Sequence, residues 1–335
     1  MSRITDTDQA YRKIPDTERP HDRLTPMVLL QRIFRFAPSP NGELHLGHAY
    51  SAMTNRHLAD SCGGKMLLRM EDIDTARCSS AFEDAIKSDL RWIGVSWDDE
   101  IRRQSEHFDA YADALERLRR EGLVYPAAMS RREIRETVDK AEAAGKHWPR
   151  DPDGQPVYPG AERTWSTPRR KHLIGSARAF NWRLDVGKAM SALSAPVQWA
   201  EDGLGPDGET GTIIADPLRW GDVIVARSDV PTSYHLSVVV DDALQGVSDV
   251  VRGQDLFHAT SIHRLLHELL GLPAPRYHHH ALLLAADGRK LSKSNRDMSL
   301  HGLRRSGASA DSVLNTIRNH PKTASNDPLS GPGQT

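Results

Sequence analysis

The sequence predicts an α/β fold organised around a parallel sheet. Two observations carry this: strand-like and helical runs alternate along the chain, and the first such pair is joined by a tight proline turn. Residues 32–37, Arg32-Ile33-Phe34-Arg35-Phe36-Ala37, alternate with the period of a strand and stop at Pro38, and residues 44–58 then read as a helix. Lys65-Met66-Leu67-Leu68-Arg69-Met70 reads as the next strand and residues 81–92 as the next helix. Parallel neighbours need helical crossovers of this kind.

Further along, residues 105–121 and 131–144 read as helices and the Pro/Gly/Asp-rich stretch 148–160 as loop, which makes the centre an insertion. Strand-like runs resume at 180–186, 221–226 and 236–240, before an apolar helix at 260–270 and a polar tail after Asn319. Residues 1–30 mix charges and prolines without apolar periodicity and are expected to form a flexible arm. The expected organisation is the arm (1–30), the first half of a nucleotide-binding domain (31–100), an insertion (101–220), the second half (221–296) and a short C-terminal segment (297–335).

Composition narrows the class. A chain of 335 residues can bury a full core, and 38% hydrophobic with 27% charged residues is the balance of a soluble protein. The longest uniformly apolar run, 281–286, is too short to span a bilayer, and the start of the chain lacks the pattern of a secretory signal, so a cytoplasmic location is expected. Cys62 and Cys78 are too few for a disulfide framework or, alone, for a four-thiolate zinc site. With a net charge of −1, contact with nucleic acid requires a local basic patch. Arg102-Arg103, Arg131-Arg132 and Arg169-Arg170-Lys171 are candidates, although each also fits an ordinary solvated face.

Phe36-Ala37-Pro38-Ser39-Pro40-Asn41-Gly42-Glu43-Leu44-His45-Leu46-Gly47-His48 has the parts of a phosphate cradle. A helix N-terminus offers unpaired N–H groups and a favourable dipole, Gly47 allows close approach, and His45 and His48, three apart, can donate to phosphate oxygens. Two histidines at this spacing fit a structural or metal-binding role as well. Asp287-Gly288-Arg289-Lys290-Leu291-Ser292-Lys293-Ser294 reads as a cationic loop after an apolar, strand-like run. Its Lys290 and Lys293 can stabilise charge that develops on phosphoryl oxygens and departing pyrophosphate.

Taken together, these two stretches resemble the two signature motifs of class I aminoacyl-tRNA synthetases, with Leu291 where methionine is more usual. The residues before His45 resemble the glutamyl and glutaminyl branch. The resemblance, which spans most of residues 32–296, implies a Rossmann-like nucleotide-binding sheet with a central insertion. It also implies ATP, arriving with Mg2+, contacted by His45, Gly47, His48 and Lys293. A glutamate substrate carries two carboxylates and one ammonium, which calls for arginines and an acid. By the same resemblance, Arg35, Phe36, Ala37, Pro38, Ser39, Glu71, Tyr234 and Arg252 form the L-glutamate pocket.

The segment after Ser294 is short, so no anticodon-binding domain is expected, only a short helical C-terminal part. Together with Val238-Val239-Val240-Asp241-Asp242-Ala243-Leu244-Gln245-Gly246-Val247, this short form resembles the glutamyl-Q tRNA(Asp) synthetase family. That resemblance implies tRNA-independent activation of glutamate and transfer to the queuosine base in the anticodon of tRNA(Asp); a monomer is expected. A truncated enzyme that charges a tRNA 3′ end, or a non-catalytic tRNA-binding paralogue, are the alternatives. One departure stands out: where the family often carries cysteines, this chain has Tyr125-Pro126-Ala127-Ala128-Met129, and Glu162 replaces a further one after Tyr158. Zinc is therefore expected to be absent, with Tyr158 structural and the insertion held by packing.

Overall fold

The computed structural model describes residues 31–285, 287–288, 291, 299–322 and 328–329. The chain opens with β1 (Ile33–Phe36), turns through Pro38-Ser39-Pro40 into α1 (Leu46–Ser61), and continues through β2 (Lys65–Met70), α2 (Ser80–Trp92) and β3 (Asp98–Arg103). The middle comprises α3 (Phe108–Arg120), β4 (Val124–Ala127), α4 (Arg131–Ala143), α5 (Thr167–Ile174), β5 (Asn181–Leu184), α6 (Val186–Ser191), β6 (Gln198–Glu201), β7 (Gly211–Ile214) and β8 (Ile224–Arg227). Then follow α7 (Tyr234–Leu244), β9 (Asp249–Gly253), α8 (Thr260–Leu269), β10 (Arg276–His280), α9 (Leu300–Arg305) and α10 (Ala310–Asn319).

Seven strands form the main sheet in the order β3-β2-β1-β9-β10-β6-β7, parallel throughout except for the β6/β7 pair. A separate antiparallel sheet, β4-β5-β8, takes two strands from the span 101–220 and one from just beyond it, while β6 and β7 of the same span join the main sheet. The chain builds outward from β1 in one direction through β2 and β3, then returns to lay β9 on the opposite side of β1. The strand order reverses between these two, and a crevice opens there beyond their C-terminal ends.

The two-residue strand period decides what each face of the sheet carries. Phe34, Phe36, Met66, Leu68 and Met70 point into a core with Tyr50, Ile86, Leu90 and Ile317 from the helices on that side. A second core gathers Tyr111, Leu118, Val238, Val239, Ile262 and Leu265 from α3, α7 and α8. The intervening Arg35 and Arg69 are buried as well, and both reach Asp242 on α7.

The α/β class and the first four elements stand as the sequence predicts, but the stretch 236–240 is helix rather than strand. Leu236 through Asp242 is buried without a break, because α7 is covered by the sheet, α3 and α8 together. A helix enclosed on every side loses its polar stripe, so its valine run imitates a buried strand. Several strands also escape the pattern. β3 is a polar edge strand, and β6 and β7 are four-residue strands. The apolar run after His280 adds no strand: β10 ends at His280, and Leu283 makes only an isolated bridge with Lys322.

Arg69 is wholly buried, with Nη1 donating to Asp242 Oδ1 at 2.8 Å and to Gln245 Oε1 at 3.0 Å, and Nη2 to Glu71 Oε1 at 3.3 Å. Burial disfavours its charge, but Asp242, Glu71 and Asp241 more than restore it, so its pKa is raised. Removing one partner of such a group leaves buried charge without compensation. Arg69→Met is expected to cost about 3–5 kcal/mol of unfolding free energy in urea titrations. A loss below about 1 kcal/mol would show that the network is not structural.

Candidate active site

A cleft of about 600 Å³ occupies the crevice between β1 and β9. It is lined by Arg35, Phe36, Ala37, Pro38, Ser39, His45, Gly47, His48, Glu71, Tyr234 and Arg252, so residues separated by more than half the chain meet in one place. Lys290 and Lys293 lie outside the described residues, while Leu291 between them lines the same cleft.

His45 is not inside the helix, as the predicted 44–58 span would have it, but is the N-cap of α1. Its Nδ1 accepts the Gly47 N–H at 3.1 Å, and His48 Nδ1 accepts the His45 N–H at 3.1 Å, which brings the ring centroids to 3.8 Å. Imidazoles thus fill the reciprocal roles usually taken by serine and glutamate in a capping box. A neutral ring that accepts at Nδ1 carries its proton on Nε2, and that is the atom able to donate to a phosphate oxygen.

The two arginines of the cleft are held in different ways. Arg35 donates from Nε to Asp242 Oδ1 at 3.1 Å, so its charge is met within the protein. Arg252 is only 6% exposed, yet all its partners are neutral. Nε donates to His279 Nε2 at 3.1 Å, Nη1 to His263 Nδ1 at 3.1 Å, and Nη2 to Thr260 Oγ1 at 2.7 Å and to the Leu256 carbonyl at 3.1 Å. The Tyr234 hydroxyl lies 3.5 Å from Nη1. Among the described residues no carboxylate stands within ion-pair distance of Arg252, Asp255 included. A buried guanidinium without a counterion is a preformed seat for an anion.

Behind Arg252, His279 donates from Nδ1 to Glu201 Oε2 at 2.6 Å. Burial pushes the Glu201 carboxyl up, but its bond to His279 outweighs this and its pKa is lowered. Burial and the nearby Arg252 charge hold His279 at about 4, so the pair is a carboxylate with a neutral imidazole. Glu71 and Asp255 are the acids that line the cleft, and burial raises the pKa of Glu71 against the pull of Arg69 and Arg35. Its neighbours are tied down elsewhere: Asp72 accepts the Ser105 N–H and hydroxyl, and Asp74 pairs with Arg77.

In the insertion, Glu162 Oε1 accepts the Ala128 N–H at 3.1 Å and the Tyr158 hydroxyl at 2.8 Å. The strand end at Ala127 and the turn at 161–164 are thus joined by hydrogen bonds to a carboxylate, in addition to packing. Among the described residues no group of three His, Cys, Asp or Glu side chains could hold a metal ion.

Sequence reasoning overlooks Asp242, His263, His279, Thr260 and Glu201, each of which holds a cleft arginine or its support. For Asp242 there was a usable signal, two adjacent acids after an apolar run, opposite strands that each bury an arginine. For the histidines nothing local distinguishes them from other buried histidines.

The residues 33–170 and 203–326 match the family model for tRNA synthetases class I (E and Q), catalytic domain. The chain belongs to this family of class I synthetases, and it is a ligase. It is 42% identical to glutamyl-Q tRNA(Asp) synthetase of Rhodobacter capsulatus, across 85% of this chain and 99% of that one. Against the enzyme of the same name from Leptothrix cholodnii it is 43% identical, across 78% of this chain and 81% of that one. Glutamate–tRNA ligase 2 of Syntrophus aciditrophicus is 35% identical, but this chain spans only 56% of its length. The crystal structure of glutamate-tRNA synthetase from Elizabethkingia anophelis has the same fold, with a TM-score of 0.69 at 24% identity, and this chain covers 61% of it. No helix of the described residues is long and apolar enough to cross a membrane.

Burial also sets how stability depends on pH. His235, His267, His279 and His280 are held at about 4, below the 6.5 of an ordinary histidine, chiefly because burial disfavours their charged form. Between those values the unfolded chain binds more protons than the folded one, so stability falls as pH drops from 6.5 towards 4. The melting midpoint is expected to be flat above pH 7 and to fall steeply below 6.5, less steeply in His267→Gln. A midpoint constant between pH 7 and 4.5 would contradict this.

Proposed function

We propose that this chain activates L-glutamate with ATP to form glutamyl-adenylate, without needing tRNA, and transfers the glutamyl group to the queuosine base in the anticodon of tRNA(Asp). The observation that carries the first step is the Arg252 seat beside the paired His45 and His48 rings in one cleft. A glutamate carboxylate supplies the missing counterion of Arg252, Glu71 meets the ammonium, and Arg35, Ser39 and Tyr234 complete the pocket wall with Phe36, Ala37 and Pro38. An oxygen of the α-carboxylate attacks the α-phosphorus and pyrophosphate departs. The Nε2–H groups of His45 and His48, beside Gly47, and the ammonium groups of Lys290 and Lys293 stabilise the charge that develops there.

A queuosine hydroxyl then attacks the acyl carbon and AMP leaves. Support for this acceptor comes from the relatives: the chain matches nearly the whole of a glutamyl-Q tRNA(Asp) synthetase but little more than half of a glutamate–tRNA ligase. ATP arrives as its magnesium complex, and no protein ligand is assigned, because Asp72 and Asp74 are engaged with Ser105 and Arg77. The insertion works without zinc, its ends joined through Glu162. The enzyme acts as a cytoplasmic monomer.

Glutamate-dependent ATP–pyrophosphate exchange is expected in the absence of tRNA, and to fall about 100-fold in Lys293→Ala. Labelled glutamate is expected on queuosine-containing tRNA(Asp) and not on tRNA lacking queuosine. Absence of exchange by folded wild type would support a binding protein instead, and equal charging of tRNA(Glu) would support attachment at the 3′ end.

A further inference from the structure

A second cleft, of about 520 Å³, adjoins the first across Tyr234, which lines both. Its walls include Tyr158 and Arg183 from the insertion, Asp222 just before β8 and Arg227 at its end, and His235 at the start of α7. Among the described residues two of these wall charges are paired, while Arg183 has no carboxylate partner and donates to the Asp222 carbonyl. Asp222 accepts the Tyr125 hydroxyl at 2.6 Å and lies 3.4 Å from Arg163, and Arg227 is paired with Asp229 at 2.6 Å. The Arg183 guanidinium lies 3.8 Å from the centre of the Tyr158 ring. A cleft with aromatic walls and both donors and acceptors suits a polar ring with hydroxyl and carbonyl groups, which is the chemistry of a nucleoside.

A directional chain of hydrogen bonds runs from the first cleft to the second. Arginine can only donate, so His263 Nδ1 must accept from Arg252 Nη1 at 3.1 Å. The proton of His263 then sits on Nε2, which faces His235 Nδ1 at 3.1 Å and donates to it. His235 is left with its own proton on Nε2, and among the described residues nothing accepts from that atom. Both rings are neutral, because burial and the nearby Arg252 charge push their pKa values down, His235 to about 4. Tyr234 and His235 are successive residues at the start of α7, about 100° apart around the helix, and Tyr234 lines both clefts whereas His235 lines only the second.

We propose that His235 Nε2–H is the donor that holds the acceptor nucleoside in the second cleft, and that His263 is the positioning residue that fixes its tautomer from Arg252. The proposal rests on the reading above that the chain transfers glutamate to a nucleoside. The glutamate seat and the acceptor seat then share one hydrogen-bond chain. An oxygen of the acceptor nucleoside, hydroxyl or carbonyl, accepts from His235.

The test compares two rates in each protein: glutamate-dependent ATP–pyrophosphate exchange, and single-turnover transfer from preformed adenylate to queuosine-containing tRNA(Asp). In His235→Phe the ratio of transfer to exchange is expected to fall about tenfold, the effect of one lost hydrogen bond. His235→Gln, whose amide keeps an N–H near the position of Nε2, is expected to restore the ratio to within about threefold of wild type. His263→Asn retains an acceptor for Arg252 but cannot reach His235, and is expected to lower the ratio as His235→Phe does. His263 is buried and its variant can fail to fold, so the partly exposed His235 carries the decisive comparison, with melting midpoints as the folding check. A wild-type ratio in His235→Phe, or no recovery in His235→Gln, would overturn the proposal. Wild type that exchanges but transfers to no nucleoside would overturn the functional reading, and this proposal with it.

Discussion

Three buried arginines, Arg35, Arg69 and Arg252, constrain everything around them, because a guanidinium removed from water must be met by charge or by well-placed acceptors. Arg35 and Arg69 rise from adjacent strands on the same face of the sheet and converge on Asp242. That convergence locks α7 across β1 and β2, and Asp241 beside it binds Arg102, Gln104 and Tyr111, extending the hold to β3 and α3. Arg252 is different in kind. Its acceptors are rings, a hydroxyl and a carbonyl, all neutral, so its orientation is fixed while its charge stays available.

The sheet topology gives this difference its use. Laying β9 beside β1 puts Arg252 at the C-terminal end of one strand and the turn into α1 at the end of the other. The histidine cap at that turn serves the helix and the site in the same act: accepting backbone N–H groups at Nδ1 directs the remaining ring proton to Nε2. An anionic substrate thus meets an uncompensated guanidinium on one side of the crevice and a helix terminus on the other, and both favour negative charge.

Much of this was legible in the sequence, for reasons that can be named. The strand-turn-helix at 32–58 combines a two-residue period, a proline stop and a helical run, and each signal agrees with the others. Every cleft residue expected from the motifs and lying among the described residues does line the cleft. The stretch 236–240 misled because a helix buried on all sides shows no polar face, and β-branched valines then favour a strand reading. The supports of Arg252 stayed hidden for another reason: Glu201, Thr260, His263 and His279 come from three separate elements, and their relation exists only in the folded chain. The exchange of cysteines for Ala127, Met129 and Glu162 was visible, but the bonds by which Glu162 joins Ala128 and Tyr158 were not.

The central claim is that Arg252, fixed by neutral partners and with no carboxylate at ion-pair distance among the described residues, seats a carboxylate of the substrate. A crystal structure of the protein with a non-hydrolysable glutamyl-adenylate analogue tests this most directly. The account predicts the analogue's carboxylate in hydrogen-bond contact with Arg252, with the bonds to His263 and His279 kept and Arg35 still on Asp242. A carboxylate bound to an Arg35 that has left Asp242, with Arg252 turned away, would contradict it.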